Sequence, residues 1–273
     1  MLSTFIIALR EGLEASLIIG ILVAYLVKTN RKHQLGALWT GVVTAIGASL
    51  ALGAFLSYTS AELTPKGEEL FAGTTSLIAV GLVTWMVFWM KRTARGLRDE
   101  LHGKAETAVT TGVLSLAALA FFAVAREGLE TSLFLYTNFQ TVGAISSATA
   151  GLILGLTLSV VLGIGVYKRA IKLNLSKFFT YSGIALIVVA AGVLSYGIHE
   201  LQEFGILPGP DAFVWDTTSW LPKESVVAAF LGGTIGFDTT TSWLQLFGWL
   251  SFLGFTLSAY LAPAKSVKTP ANA

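Results

Sequence analysis

The chain has 273 residues, of which 54% are hydrophobic and 12% charged, with a formal net charge of +2. Its mean hydropathy of +0.72 exceeds what a soluble core needs, which excludes an ordinary soluble domain. Cysteine is absent, and this excludes disulfides, thiolate metal sites and iron–sulfur clusters. The composition therefore predicts an all-α integral membrane protein.

Seven runs of mostly apolar residues are long enough to cross roughly 30 Å of hydrocarbon. The first begins at Met1 without the basic start and cleavage site of a secretory signal, so we expect it to remain as a span. A moderately apolar stretch at 225–237 is expected to lie along the interface or to dip partly into the bilayer, without spanning it. The seven predicted transmembrane helices lie near 2–27, 36–58, 69–90, 108–137, 144–167, 178–199 and 240–262.

Lysine and arginine collect in alternate loops, after the first, third, fifth and seventh runs. The remaining loops contain only Lys66 and Lys223 as basic residues, against nine acidic ones. Because basic loops stay in the cytoplasm, we predict that the N-terminus is outside and the C-terminus inside. The acidic outer face would concentrate cations near the membrane, although solvated acidic loops are also the ordinary case.

The sequence REGLE at 10–14 recurs letter for letter at 126–130. Residues 5–20 and 121–136 around it are identical at eight of sixteen positions. A duplicated unit of three spans must enter the membrane from the opposite side the second time. The repeat therefore predicts a 3+3 inverted repeat plus one additional helix, with a substrate site near the midplane.

The second span of each unit supports this duplication, because Gly41 and Gly53 keep the spacing of Gly151 and Gly163. We therefore expect a single transmembrane permease domain over the whole chain. Its predicted parts are repeat one (1–106), repeat two (107–203), an outer loop (204–239), the seventh span (240–262) and a cytoplasmic tail (263–273).

Each REGLE motif places one arginine and two glutamates on one flank of a helix. Counting residues from the outer ends of the spans puts both motifs at the same depth, which predicts pairing of Arg10 with Glu130 and of Glu14 with Arg126. Each charge near the bilayer centre costs about 2.5 to 3.5 kcal/mol, so something must offset six of them. Four carboxylates and two guanidinium groups leave a formal charge of −2, which a hard multivalent cation would complete.

This pattern leaves other classes of protein open. A non-transporting membrane scaffold subunit would use the two arginines to bridge the glutamates, although small-residue packing achieves the same at lower cost. Carboxylate oxygens suit Fe³⁺, Mg²⁺, Ca²⁺ and Mn²⁺ alike, so a transporter of Mn²⁺ or another divalent cation is one alternative. A haem protein or an intramembrane metalloprotease is not supported, because His33 and His102 fall in predicted loops and no His-Glu-x-x-His helix occurs.

The two REGLE spans, together with VTWMVFWMKR at 83–92 and FFAVAREGLE at 121–130, resemble the oxidase-dependent iron permease family. That family includes the fungal high-affinity iron permease and the bacterial EfeU-type ferrous iron permease. The resemblance covers nearly the whole chain and implies a multi-pass plasma-membrane transporter, not an enzyme, that moves iron inward. It further implies iron as the substrate, no prosthetic group, Glu11, Glu14, Glu127 and Glu130 as metal ligands, and Arg10 and Arg126 as their charge partners.

The resemblance also implies an outer acceptance site and extracytoplasmic partners. Ala72 stands where many relatives have an acid, which puts part of the acceptance site in doubt. Besides iron and the lipid bilayer, the expected partners are a cupredoxin-containing component and a haem peroxidase, and no nucleic acid. The transported valence, the energy source and the oligomeric state stay open. The residues of the acceptance site would be Glu68, Glu69, His199 and Glu200.

Overall fold

A computed structural model of the protein describes residues 1–61, 63–93, 97–142, 145–168, 174–222 and 225–262. The predicted cytoplasmic tail at 263–273 lies outside these residues. The described chain is almost entirely helical. Its elements are α1 (Leu2–Lys28), a 3₁₀ turn (Lys32–Gln34), α2 (Leu35–Ala61), α3 (Pro65–Thr93), α4 (Leu97–Thr111), α5 (Val113–Val142), α6 (Ile145–Tyr167), α7 (Leu175–Phe204), β1 (Phe213–Asp216), α8 (Val226–Ile235), β2 (Thr240–Ser242) and α9 (Trp243–Leu261).

Five helices are long and apolar enough to cross a membrane, namely α2, α3, α6, α7 and α9. The other two predicted spans correspond to α1 and α5, which have 27 and 30 residues. Both are longer than the roughly 20 residues that a crossing needs, but each carries the three charged residues of a REGLE motif. The all-α membrane class is therefore confirmed, whereas the count of seven spans stays a prediction.

Most predicted span ends differ from the helix ends by one to five residues, and three of the differences have a clear local cause. The fourth span begins at Val113 and not at 108, because Gly112 adopts φ +137° and separates α5 from the preceding helix α4. The seventh begins at Trp243, since the three residues before it form β2 and Ser242 caps the helix. The sixth continues to Phe204, where Gly205 at φ +94° ends α7.

Helix α8 lies in the connection between α7 and α9 and has only ten residues, too few to cross a bilayer. Its C-cap, Gly236, has φ +73°, and a side chain there would overlap Gly192 of α7. Gly192 lies about 18 Å along α7 from its end at Phe204, at 1.5 Å per residue. The C-terminal end of α8 therefore packs against the middle of α7, whereas the position of this stretch relative to the bilayer stays a prediction.

The helices pair α1 with α6, α2 with α5, and α3 with α7. Backbones approach closely at small residues in the first two pairs. A methyl group on Gly12 of α1 would overlap Ser159 of α6, and one on Gly128 of α5 would overlap Ser49 of α2. Each motif glycine thus lies against a serine of the second helix of the other sequence repeat.

Further contacts occur in matching pairs across the two halves. Gly163 lies against Ser16 as Gly53 lies against Ser132. Between α3 and α7, Gly73 lies against Gly197 as Gly183 lies against Val87. Corresponding residues are separated by 116 positions between α1 and α5, and by 110 positions between the other helix pairs. The contact of Gly41 with Ala117 matches that of Gly151 with Met1 in the same way.

Large apolar side chains cover the outer faces of α2, α6 and α9. On α2 the exposed residues Trp39, Val43, Ile46 and Leu50 recur at helical spacing along one face. By contrast, α1 buries Arg10, Glu11 and Glu14. Apolar residues outside and charged residues inside are the reverse of a soluble bundle, and they suit a surrounding of lipid.

Candidate functional site

Helices α1 and α5 bring the two REGLE motifs together in the interior. Carboxylate oxygens of Glu11, Glu14 and Glu127 all lie within 4.8 Å of one another, and the three residues are buried. Among the described residues, this is the one group of three or more such side chains close enough to hold a metal ion together. Glu130, the fourth predicted ligand, remains outside the group.

Arg10 is enclosed by its own helix and by α3. Its Nη1 donates to Glu11 Oε1 at 2.9 Å and also to Met86 Sδ at 3.0 Å, while its Nη2 lies 3.4 Å from Glu14 Oε1. The Arg10 side chain is only 1% exposed. The guanidinium is therefore fixed between two carboxylates and a thioether, with no room beside it.

Arg126 has a more open environment. Its Nε donates to Glu130 Oε1 at 3.2 Å and lies 4.0 Å from Glu127 Oε1. Its guanidinium carbon lies 3.9 Å from the ring centre of Trp89 and 5.7 Å from that of Trp85. The Arg126 side chain is 31% exposed.

The predicted cross-pairing of the motifs is wrong. Neither Arg10 with Glu130 nor Glu14 with Arg126 occurs among the ion pairs of the described residues. Each guanidinium instead reaches the carboxylate four residues further along its own helix, which is a neighbour on the same face. As a result, carboxylates of opposite helices meet each other directly.

In the part of the chain that the structure describes, each of the four motif glutamates has one buried carboxylate oxygen without a hydrogen-bond partner. An unpaired buried carboxylate oxygen is costly, so native structures rarely leave one unexplained. Glu11, Glu14 and Glu127 each contribute one carboxylate oxygen to the group within 4.8 Å, and hard cations take oxygen ligands. The oxygens without a hydrogen-bond partner are Glu11 Oε2, Glu127 Oε2, Glu130 Oε2 and Glu14 Oε1, the last of which still lies 3.4 Å from Arg10 Nη2.

A cavity of about 230 Å³ leads away from Glu14 and Glu127. Arg126, Trp89 and Met90 line its wall, and Lys104 of α4 lies at the side of the basic loops. A smaller void of about 10 Å³ lies beside Ile7 and Phe134 in the hydrophobic core formed with α3 and α7. Among the described residues, the larger cavity connects Glu14 and Glu127 with the part of the bundle that carries Lys104.

Sequence reasoning missed the residues of α3 that surround the site. Met86 contacts Arg10, Trp89 contacts Arg126, and Met90 lines the cavity. A signal was present in VTWMVFWMKR, where residues 85, 86, 89 and 90 follow helical spacing next to a charged site. That spacing is equally typical of an ordinary core helix, so it did not identify a role.

The residues of the expected acceptance site lie at the ends of α3 and α7 away from the basic loops. Glu68 is exposed, whereas Glu69 is half-buried and has a buried Oε2 without a partner. On α7, Tyr196 is hydrogen-bonded to Glu200, and His199 interacts electrostatically with the same carboxylate. Within the described residues these acids do not gather as closely as the motif carboxylates.

Ala72 is 2% exposed on α3. An acid at this position would be buried and would need a partner of its own. Because α7 continues to Phe204, Glu203 lies on the same helix as Tyr196 and Glu200, and its side chain is exposed.

An apolar outer layer around charged inner helices defines this protein as a multi-pass membrane protein with a polar interior. Comparison with known proteins narrows this class. Residues 1–262 match the model of the Iron permease FTR1 family. The chain belongs to that family, which is a family of transporters. The match confirms the resemblance seen in the motifs.

Curated relatives match the sequence of this chain over nearly their whole length. The ferrous iron permease EfeU of Yersinia pestis is 35% identical over 269 residues, covering 97% of this chain and 95% of the relative. The protein of the same name from Escherichia coli O6:H1 is 35% identical over 272 residues, covering 98% of both chains. No solved structure is significantly similar.

Proposed function

We propose that this chain is a high-affinity iron uptake permease that moves iron ions inward across the plasma membrane. The observation that carries the proposal is the buried group formed by Glu11, Glu14 and Glu127 between the two repeated helices. Glu130 joins these ligands when the cation binds, because it lies on the same flank of α5 and has an unpaired oxygen. Arg10 and Arg126 keep the formal charge of the empty site at −2, so that a multivalent cation neutralises it.

The proposed architecture has seven spans, arranged as a 3+3 inverted repeat with α9 added, with the N-terminus outside and the C-terminus inside. The matching contacts of Gly12 and Gly128 with serines of the opposite repeat support a two-fold relation between the halves. The basic residues between alternate helices support the orientation. In this arrangement the carboxylates lie near the midplane, where the two repeats meet.

The transport cycle alternates access to this site. The cavity beside Lys104 opens toward the basic loops, so the conformation described here faces the cytoplasm. On the outer side, Ile7 and Phe134 pack into the core with residues of α3 and α7 and close the way in. Rocking of one repeat against the other opens the outer side and closes the inner one.

Iron reaches the outer side through acidic residues. Glu68, Glu69, His199 and Glu200 form the acceptance site at the outer ends of α3 and α7. Glu69 has a buried unpaired oxygen that a cation would satisfy. Replacing Glu69 by Gln should raise the KM for iron uptake while Vmax stays the same, and an unchanged KM would remove Glu69 from the acceptance site.

Oxidation or reduction of iron is assigned to extracytoplasmic partners, a cupredoxin-containing component and a haem peroxidase. This chain carries no catalytic residue in the proposal and needs no prosthetic group. Iron uptake by the purified chain alone would show that the partners are dispensable for translocation itself.

The cluster of oxygen ligands does not by itself distinguish iron from Mn²⁺. A pure scaffold role is disfavoured by the unpaired carboxylate oxygens, because an ion-pair lock has no use for them. Uptake therefore has to be measured with competing metals and with a variant that lacks the ligands.

The test is uptake of radioactive iron into proteoliposomes, comparing Fe²⁺ with Fe³⁺ in the presence and absence of excess Mn²⁺. Uptake should survive Mn²⁺ and disappear in the double variant Glu14→Gln, Glu130→Gln. Glu106→Gln is the matched control, since Glu106 is exposed on α4. Equal uptake by the double variant and the control would refute the carboxylate site, and full suppression by Mn²⁺ would favour a divalent-cation carrier.

A further inference from the structure

The guanidinium of Arg126 lies against the indole of Trp89, 3.9 Å from the ring centre. Trp85, one turn earlier on α3, lies 5.7 Å away and is 58% exposed. A cation over an indole face is attracted by the negative charge density of the ring, and Trp is the best aromatic partner for it. Trp89 therefore competes with Glu127 and Glu130 for the same guanidinium.

Arg126 also has the freedom to respond to this competition. It lines the cavity of about 230 Å³, and its side chain is 31% exposed. Glu127 lies 4.0 Å from its Nε, at the limit of an ion pair. Arg10 has no comparable freedom, because Glu11, Glu14 and Met86 enclose it.

We propose that Trp89 is a positioning residue that holds the Arg126 guanidinium away from Glu127 and thereby leaves this carboxylate available to the transported cation. This inference rests on the proposed function. When the cation binds, its charge repels Arg126, and the indole keeps the displaced guanidinium in place. Without the indole, Arg126 moves fully onto the carboxylates and competes with the cation.

The experiment compares Trp89→Leu with Trp89→Phe in proteoliposomes containing the full chain, with Fe²⁺ as the transported ion. The cation–π contribution corresponds to a change of roughly 2- to 30-fold in affinity. We expect the KM of Trp89→Leu to rise within that range with Vmax largely retained, and Trp89→Phe to restore part of the affinity. Trp39→Leu is the matched control, because Trp39 is exposed on α2.

A double-mutant cycle shows whether Trp89 acts through Arg126. Fe²⁺ binding to the purified chain is measured for Trp89→Leu, Arg126→Gln and the combination. Arg126→Gln should tighten binding by removing a competing positive charge, and Trp89→Leu should have no further effect in that background. An equal loss of affinity in both backgrounds would mean that Trp89 only supports the packing, and the proposal would be overturned.

The outcomes separate this inference from the proposed function. If wild type neither binds nor transports Fe²⁺, the permease function itself fails. If wild type transports Fe²⁺ and Trp89→Leu has the wild-type KM, only the role of Trp89 fails. Size-exclusion chromatography of each variant confirms that the changes in KM come from folded protein.

Discussion

Arg10 and Arg126 occupy the same place in two identical pentapeptides, yet their side chains are 1% and 31% exposed. Arg10 is enclosed by two glutamates and the sulfur of Met86. Arg126 borders a cavity and stacks on Trp89. Both environments are built partly by α3, which presents a thioether to one arginine and an indole to the other. Identical motifs are thus made unequal by the helix that lies beside them.

Under the proposed function, the site opens to one side of the membrane at a time. The two repeats then have to differ in any single conformation, which agrees with the unequal surroundings of the two arginines. Here the cavity lies beside the second motif and the packed core beside Ile7 lies on the other side. Three sets of substitutions test how far the two motifs differ in iron uptake and in their contribution to stability.

The largest effect is expected from removing one carboxylate in either motif. Glu14→Gln and Glu130→Gln should each reduce iron uptake to background, because each takes a ligand and a negative charge from a site of formal charge −2. Uptake into proteoliposomes is the measurement, with Glu106→Gln as the control, since Glu106 is exposed on α4. Normal uptake by both variants would refute the proposal that the motif carboxylates bind the transported iron. A loss of uptake in only one variant would show that the motifs are functionally unequal.

Replacing an arginine should affect stability, and the loss should differ clearly between the two motifs. Arg10→Gln leaves buried carboxylates without their partner and should cost about 3 to 5 kcal/mol of stability. Arg126→Gln should cost about 1 kcal/mol, because its ion pairs are partly solvated. Thermal unfolding in detergent measures both variants. Equal shifts in melting temperature would contradict the difference in burial.

The effect at the motif glycines is expected to be smaller than that of Arg10→Gln. A methyl group at Gly12 overlaps Ser159 and lies 3.2 Å from Leu156 Cδ2, whereas one at Gly128 meets only Ser49. Gly12→Ala should therefore cost about 1 to 3 kcal/mol by overpacking, and Gly128→Ala less.

Two further variants check that the glycine effect comes from this overlap. Ser159→Ala combined with Gly12→Ala should recover part of the melting temperature, because the nearest atom is removed. Gly47→Ala is the control, since a methyl group there has open space around it. Loss of stability in Gly47→Ala, or no recovery in the double variant, would argue against close packing at Gly12.

Much of the site could be predicted from the sequence because its signal is local. Three charges inside an apolar run, repeated letter for letter, can only be stable where they face the interior. This reasoning led to the motif glutamates, and the structure brings three of them together. The pairing of Arg10 and Arg126 could not be predicted in this way, because depth along a helix does not say which way a long side chain turns.

The parts that were missed depend on contacts between distant segments. The separate helix α4 depends on the positive φ of Gly112, and the position of α8 depends on Gly236 meeting Gly192 about 44 residues earlier. Neither contact leaves a periodic pattern in the chain. The aromatic surroundings of Arg126 were missed for the same reason, since Trp89 belongs to another helix.

The sequence by itself determined that this protein is an all-α membrane protein of the iron permease type, with charged motifs on two related helices. Hydrophobic length and charge burial are properties of each segment, so they can be derived from residues in order. Only the tertiary structure decided which carboxylates meet, which arginine borders a cavity, and which side chains of α3 contact each arginine. Those features depend on how α1, α3 and α5 pack together, because burial and electrostatic attraction act through space between residues far apart in the chain.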